Sequence, residues 1–210
     1  MSAAVYDAAL ASPLLGVHVR YRDGTLVDLP VQQWCADVDA VDRLLVDRAT
    51  GATLDIGCGP GRLTEAVAAR GVLALGIDIA PRAVHLTRAR GAVALQRSVF
   101  GPVPAAGRWA HALLADGNVG IGGDPVALLA RTRDLLAPGG RVHVELGAPG
   151  SPGGCSEVRL EPAVGRPGRW FPWARLPVGD LTGIAYTADL RVREVWHAGG
   201  RWFAELATRG

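Results

Sequence analysis

One nine-residue stretch, Leu54 to Arg62, constrains the fold of this 210-residue chain more than any other. It reads Leu-Asp-Ile-Gly-Cys-Gly-Pro-Gly-Arg. The apolar residues Ala52 to Ile56 predict a short buried strand, and Arg62 to Arg70 predict an amphipathic helix directly after the turn. Glycine adopts positive φ without strain and lets a ligand approach the bare backbone. The stretch therefore predicts an α/β fold with a nucleotide-type cofactor at a strand-to-helix turn.

Two classes of cofactor use such a turn, and the glycine spacing separates them. A dinucleotide fingerprint requires Gly-x-Gly-x-x-Gly or Ala, but here Arg62 stands where the last small residue belongs. The stretch instead resembles motif I of the class I S-adenosylmethionine (SAM) dependent methyltransferases, which runs hydrophobic, Asp, hydrophobic, Gly, Cys, Gly, any residue, Gly. The resemblance implies SAM as the cofactor, bound by Asp55, Gly57, Cys58, Gly59, Gly61 and Arg62.

An acid follows the next predicted strand, Val72 to Ile77. An acid at the end of the second strand of a βαβ unit suits the hydroxyls of a ribose, which donate to a carboxylate. The resemblance therefore assigns Asp78 and the adjacent Ile79 to the SAM site. An acid that only caps the helix starting at Pro81 would explain Asp78 alone, but not its register with the glycine turn.

The following residues continue the alternation of strands and helices. Helices are predicted at 81–90 and 124–136, the second with Asp124 as N-cap and Pro125 at its first position, and strands at 92–99, 109–115 and 141–146. This alternation predicts a parallel sheet covered on both faces. Residues 156–162 and 169–176 then predict an extra hairpin, 178–188 a last helix, and 190–196 with 202–207 a closing hairpin.

With the resemblance, this order implies the class I methyltransferase Rossmann-like fold. That fold has a seven-stranded, mostly parallel sheet with an antiparallel last strand, helices on both faces, a small N-terminal lid and here an extra hairpin after strand five. Val17 to Tyr21 and Thr25 to Leu29 predict a lid hairpin, and Asp37 to Arg48 predict the helix that leads into the core. We expect two parts: residues 1–43, a lid with that hairpin and helix, and residues 44–210, the SAM-binding core.

Further site residues are expected at the carboxyl ends of the later strands, where open α/β sheets bind ligands. After strand three, Ser98, Val99 and Phe100 occupy the adenine-binding position of the family, with Ser98 in place of the usual acid. Phe100 has the alternative of being a core residue. After strand four, Asp116 is a candidate cofactor contact and general base, and Asn118 a candidate for orienting the substrate; alternatively, both shape a glycine-rich turn.

The candidate substrate residues are aromatic and basic. Tyr21 and Trp34 lie in the lid, and Trp173 and Arg175 lie in the extra hairpin, where a guanidinium suits a carboxylate or phosphate. His18, also in the lid, is a third candidate catalytic residue. The alternative is that the aromatic rings only seal the hairpin onto the sheet.

Composition excludes several other functions. The net charge is only +2, whereas nucleic-acid-binding proteins usually show a strongly basic face or stripe. Three cysteines fit neither a disulfide framework nor a zinc site, so no metal is expected. No stretch has the roughly 18 apolar residues of a membrane span, and no signal peptide is evident. We expect a cytoplasmic protein, a monomer or homodimer, that binds a small molecule and neither nucleic acid nor membrane.

The sequence thus favours a SAM-dependent methyltransferase that methylates an O, N, S or C nucleophile of a small-molecule acceptor by direct displacement. The alternative is a SAM-binding protein without methyltransferase activity, either regulatory or using SAM for other chemistry. A nicotinamide-dependent oxidoreductase is the third and least favoured hypothesis, because of the glycine spacing.

Overall fold

The computed structural model describes residues 3–209 of the chain. Strands and helices alternate through most of these residues, and single turns of 3-10 helix lie at Asn118–Gly120 and Val178–Asp180. The elements in chain order are α1 (Ala3–Ala11), β1 (Val17–Tyr21), β2 (Leu26–Asp28), α2 (Val31–Cys35), α3 (Ala40–Arg48), β3 (Thr53–Ile56), α4 (Arg62–Ala69), β4 (Ala74–Asp78), α5 (Pro81–Ala89), β5 (Ala94–Gln96), β6 (Trp109–Leu114), α6 (Pro125–Leu135), β7 (Leu136–Leu146), β8 (Gly154–Pro162), β9 (Phe171–Arg175), α7 (Leu181–Thr187), β10 (Leu190–Ala198) and β11 (Arg201–Thr208).

The central sheet has seven strands in the order β10-β11-β7-β6-β3-β4-β5. The five strands from β3 to β7 are parallel to one another. The last strand, β11, runs antiparallel to β7 and pairs with β10 as a closing hairpin. The predicted class I methyltransferase fold is confirmed, and the carboxyl ends of the parallel strands lie along one edge, where such sheets bind ligands.

Burial explains why these segments form strands and helices. All four residues of β3 and all five of β4 are buried, as expected for central strands covered on both faces. Leu63 and Val67 of α4 are buried on one side of that helix. Helix α6 begins as predicted, with the Asp124 carboxylate accepting from Ala127 N at 3.0 Å.

A second, four-stranded antiparallel sheet lies outside the central one, in the order β2-β1-β8-β9. It joins the two hairpins that the sequence predicts separately, because β1 pairs along its whole length with β8. Helix α1 packs against β8 and α5. Helix α1 and the second sheet share a core that includes Tyr6, Leu10, Val17 and Leu160. The second sheet is therefore built from both halves of the chain.

Several predicted boundaries differ from the structure. Strand three is short, covering only Ala94–Gln96, and the predicted helix 178–188 is a 3-10 turn followed by α7. The expected division at residues 43/44 falls inside α3. The outermost residues of the two expected parts, 1–2 and 210, lie outside the described residues. None of the helices within 3–209 is long and apolar enough to cross a bilayer.

Candidate active site

The glycine turn after β3 is packed tightly by its neighbours. Gly57, Gly59 and Gly61 have φ angles of +71°, +54° and +87°. A Cβ on Gly57 would lie 2.8 Å from the amide nitrogen of Asn118, and one on Gly61 would lie 2.5 Å from Thr87. Both the backbone conformation and the lack of space therefore require glycine. The turn leaves its bare backbone at the carboxyl edge of the sheet.

Asp78 is fixed at the rim of this turn. One of its carboxylate oxygens accepts from Gly59 N at 3.0 Å and the other from Ala80 N at 2.8 Å. Burial raises the pKa of Asp78, and the backbone donors act in the opposite direction. Each oxygen keeps a further lone pair. The carboxylate is thus oriented by the turn itself and can accept from a second donor, such as a ribose hydroxyl.

Two apolar side chains in the segments that follow β4 and β5 are partly exposed to solvent. Ile79 is 41% exposed and Phe100 is 48% exposed. Phe100 is therefore not a core residue, and its ring lies next to Gly122 of the loop after β6. Val99, in contrast, is buried in the core. The Ser98 hydroxyl accepts from Phe100 N at 3.3 Å, which shapes the turn after β5.

Two residues of the predicted cofactor motif face inward. The Asp55 carboxylate is buried and accepts from the Thr64 hydroxyl at 2.6 Å, which ties β3 to α4. Burial raises the pKa of Asp55 to about 6. The Cys58 thiol is also buried, 3.7 Å from the Thr87 hydroxyl, and burial raises its pKa well above the ordinary value. These contacts give both residues a role in supporting the turn.

Arg62 belongs to a buried network of charges. Its guanidinium donates to Asp42 at 2.9 and 3.0 Å and to Asp116 at 2.7 and 3.0 Å. Arg201 donates to Asp42 at 2.8 Å and to both oxygens of Glu145 at 2.8 Å. Burial alone would lower the pKa of Arg62, but the carboxylates of Asp116 and Asp42 raise it above its ordinary value. Arg62 is thus permanently charged, and its guanidinium binds Asp42 and Asp116 and does not face solvent.

The loop after β6 is held by the side chains that the sequence marks as catalytic candidates. Asp116 has a φ of +54°, and its backbone N donates to Glu145 at 2.6 Å. Its carboxylate is occupied by Arg62. The Asn118 amide donates to Ile56 O at 3.1 Å and Gly57 O at 2.9 Å, joining this loop to the glycine turn. These contacts favour the turn-shaping role for both residues.

The sequence prediction missed helix α1 and with it Tyr6. Tyr6 is buried, and a Cβ on Gly59 would lie 3.1 Å from its hydroxyl. Burial raises the pKa of Tyr6 well above the ordinary value, and the negative charges of Asp78 and Asp116 add to this effect. Its hydroxyl therefore sits, uncharged, beside the glycine turn. The alanine-rich sequence of α1 has no polar face, so it carries no helical periodicity that would mark it.

A cavity of about 300 Å³ lies between the loop after β6, the end of β7 and strand β9. Its lining includes Gly117, Glu145, Ser151, Trp173 and Arg175. The Arg175 guanidinium lies over the Tyr21 ring, 4.5 Å from its centroid. The structure therefore brings together three of the five predicted substrate residues, namely Tyr21, Trp173 and Arg175.

The other lid candidates lie elsewhere. Trp34 packs edge-on against Tyr6, with 6.2 Å between the ring centroids. His18 pairs with Asp28 at 2.6 Å and lines a separate cavity of about 360 Å³. The structure thus does not place His18 in the cavity beside Asp116 and Asn118. Within residues 3–209, no three side chains of the metal-binding types are grouped as a metal site.

The sequence comparisons with known proteins match part of the chain. Residues 53–140 match a family model described as a methyltransferase domain. A ubiquinone biosynthesis O-methyltransferase from Cereibacter sphaeroides is 36% identical over 92 residues, which is 41% of this chain and 37% of that protein. The match thus spans well under half the length of this curated relative.

Solved structures resemble the whole chain. A SAM-dependent methyltransferase from Bacteroides fragilis, in complex with S-adenosylhomocysteine, superimposes with a TM-score of 0.79 and 20% identity, covering 99% of this chain and 94% of that one. The 1,6-didemethyltoxoflavin-N1-methyltransferase of Burkholderia thailandensis superimposes with a TM-score of 0.64 and 18% identity, covering 99% and 89%. At these identities the likeness concerns the fold.

Proposed function

We propose that this chain, which carries a class I SAM-dependent methyltransferase domain, transfers the methyl group of SAM to a small-molecule acceptor. One observation carries the proposal. At the turn of the methyltransferase motif, the bare backbone of Gly57 to Gly61 adjoins a buried carboxylate, that of Asp78, which the turn itself orients. This arrangement offers hydrogen-bond acceptors to a ribose and close backbone approach to the rest of a nucleoside cofactor.

The residues at this edge fit SAM. Asp78 would accept from the ribose hydroxyls, while Ile79 and Phe100 would cover the adenine and the Ser98 turn would border it. Tyr6 would close the site from the lid, since its hydroxyl lies beside Gly59. When bound, SAM supplies an electrophilic methyl group whose bond to sulfur breaks as the bond to the acceptor forms, with S-adenosylhomocysteine leaving and the acceptor proton passing to solvent.

The chain's own contribution is chiefly alignment and exclusion of water, which are the main demands of such a displacement. The loop after β6 is fixed twice, by Arg62 through Asp116 and by Asn118 through the glycine turn. The cavity beside this loop is the proposed acceptor site, with Trp173 as one wall. The attacking atom, O, N, S or C, stays open.

The cavity favours an enzyme that acts on a second molecule over a SAM-binding protein that is only regulatory; the labelled-extract assay below separates methyl transfer from other SAM chemistry. A regulatory SAM-binding protein needs no second binding space next to the cofactor. Here a cavity of about 300 Å³ adjoins the loop that follows the central strands. Acceptor methylation accounts for this space, whereas cofactor binding alone does not.

Cofactor binding is tested by calorimetry with S-adenosylhomocysteine. We expect the wild-type protein to bind it and not to bind NADH. Asp78→Asn should weaken binding by about tenfold or more, the effect of losing charged hydrogen bonds. Asp37→Asn, whose side chain is 96% exposed, serves as the matched control. Equal affinities for the wild type and Asp78→Asn would refute the ribose assignment.

Transfer is tested by incubating the protein with methyl-labelled SAM and a metabolite extract of the source organism. A labelled small molecule, absent when the protein is heat-inactivated, is the expected result. Binding of S-adenosylhomocysteine without any labelled product, across extracts from several growth conditions, would favour the non-transferase alternative.

A further inference from the structure

Arg175 differs from the other arginines that border the candidate site. Arg62 and Arg201 each bind two or more carboxylate oxygens. Arg175 is half-buried, its Nε is fully buried without a hydrogen-bond partner, and among residues 3–209 it forms no ion pair. Burying a cationic donor without a partner is costly. Arg175 also lines the cavity between the loop after β6 and β9, so a ligand there can bring an oxyanion to the N–H groups of this guanidinium that remain accessible.

The charges around Arg175 do not neutralise it. Glu145 lines the same cavity, but both of its oxygens already accept from Arg201, and one also accepts from Asp116 N. Asp23 is close enough for Arg175 to contribute to its lowered pKa. Its carboxylate, however, accepts from Thr25 N at 2.8 Å and lies beyond ion-pair distance of Arg175. The cavity therefore carries a positive charge at the Arg175 side.

The stacking on Tyr21 defines which part of Arg175 is available. The guanidinium carbon lies over the Tyr21 ring, 4.5 Å from its centroid, so the ring covers one side of the group, and N–H donors pointing away from the ring remain for other partners. A planar edge of N–H donors matches the two oxygens of a carboxylate or phosphate. Trp173 lines the same cavity and offers an apolar wall.

We infer that the acceptor carries an oxyanion, a carboxylate or phosphate, bound by the N–H edge of Arg175, with its apolar part against Trp173. The inference rests on the proposed function, because it places the anion in the acceptor cavity and not on SAM. Arg175 is thus a specificity-determining residue that holds the acceptor by a group remote from the methylated atom.

The first test uses benzoate as a probe, with benzamide as its uncharged equivalent of similar shape. Binding to the protein saturated with S-adenosylhomocysteine is measured by saturation-transfer NMR titration. We expect benzoate to bind about tenfold or more tightly than benzamide, and Arg175→Gln to remove that difference. Arg175→Lys, which keeps the charge but loses the planar edge, should retain part of it. Arg169→Gln, on the same hairpin, is the control, because Arg169 is exposed and forms no ion pair with any of residues 3–209.

The second test uses the labelled extract assay. The labelled product should be retained on an anion exchanger. Arg175→Gln should raise the KM for the acceptor by about tenfold or more without changing the affinity for S-adenosylhomocysteine. Loss of retention after phosphatase treatment would identify a phosphate, and unchanged retention a carboxylate.

The outcomes separate the two proposals. Equal binding of benzoate and benzamide by the wild type, or an uncharged labelled product, would overturn the inference while leaving the methyltransferase proposal intact. Weaker S-adenosylhomocysteine binding by Arg175→Gln at an unchanged melting temperature would overturn it too, because Arg175 would then hold the cofactor. Failure of the wild type to bind S-adenosylhomocysteine would refute the proposed function itself.

Discussion

At the scale of single residues, the glycines of the turn illustrate two separable requirements. Gly61 has a φ of +87° and no room for a Cβ, because Thr87 would lie 2.5 Å away. Gly71, at the end of α4, has a similar φ of +76° but open space around it. The strain of a left-handed backbone is therefore shared by both positions, while the steric conflict belongs to Gly61 alone.

Alanine substitutions at these two positions measure the requirements separately. Gly71→Ala should lower the free energy of unfolding by about 1 kcal/mol, the cost of the backbone conformation. Gly61→Ala should cost about 2 kcal/mol more, because the new methyl group displaces buried Thr87. Urea unfolding of both variants gives the comparison. Equal losses would show that Thr87 yields freely and that only the φ angle matters.

At the scale of elements, buried charges join parts of the chain that are distant in sequence. Asp42 of α3 binds Arg62 of α4 and Arg201 of β11, and Arg201 binds Glu145 of β7. Burial alone would raise the pKa of Asp42, but the hydrogen bonds from Arg62 and Arg201 lower it. The carboxylate stays ionised and holds the two arginines in place.

Removing Asp42 should therefore be far more damaging than removing a surface acid. We expect Asp42→Ala to lower the free energy of unfolding by about 3 to 5 kcal/mol, since the buried guanidinium of Arg62 and the half-buried one of Arg201 lose a counter-ion. Asp47→Ala, in the same helix, removes only an exposed pair with Arg70 at 3.7 Å and should cost at most about 1 kcal/mol. Similar losses from the two substitutions would contradict a structural role for the network.

Helix α1 is attached to the core through the N-terminus of α5. The N-cap residue of α5 is Ala80, whose methyl side chain cannot accept a capping hydrogen bond. Asp7 supplies the missing acceptor, taking a hydrogen bond from Arg82 N at 3.0 Å. One contact thus caps α5 and positions Tyr6 over the glycine turn.

Asp7→Ala should loosen α1 and weaken cofactor binding indirectly. We expect faster amide hydrogen exchange in α1 and an affinity for S-adenosylhomocysteine lowered about threefold to tenfold, with only about 1 kcal/mol lost in global stability. Asp37→Ala, a change of the same type at an exposed position of the lid, is the control. Unchanged exchange in α1 would show that apolar packing alone holds the helix.

The elements also show how far the sequence carries the prediction. Strand β3, the glycine turn and α6 have local signals, namely an apolar run, glycine spacing and an Asp-Pro N-cap, and all three are placed correctly. Helix α1 lacks such a signal. The pairing of β1 with β8 joins residues about 140 positions apart, and alternation within a strand does not specify its partner. For the same reason, the sequence identifies Arg175 as a candidate but not its missing partner.

At the scale of the whole molecule, each of the two sheets supplies part of the candidate site. The parallel sheet supplies the glycine turn, Asp78 and the loop after β6, and the antiparallel sheet supplies Tyr21, Trp173 and Arg175. Gly120 and Gly123 leave no room for a side chain against β9, so the loop and the second sheet meet backbone to backbone. The candidate acceptor cavity lies at this junction, which is where ligand sites between packed units are common.

Away from this junction, a pair of buried histidines contributes to the response of the fold to acid. His111 Nδ1 and His143 Nε2 are 2.9 Å apart. Thr50, Arg141, Arg48 and Glu205 surround them. Burial, with the neighbouring positive charges, lowers the pKa of His143 from 6.5 to about 3. The unfolded chain therefore binds a proton that the folded chain does not, so this contribution to stability is complete above pH 6.5 and is lost as the pH falls.

Asp55 opposes this effect, because its raised pKa of about 6 makes the folded chain bind a proton first. The test therefore compares the wild type with His143→Gln, in which Asp55 is unchanged. We subtract the unfolding free energy of the wild type from that of the variant. Relative to its value at pH 7.5, this difference should rise by about 1.4 kcal/mol for each pH unit below 6, because the variant loses no stability through His143. A difference between the wild type and His143→Gln that is the same at pH 7.5 and pH 5 would mean that His143 is protonated in the folded protein.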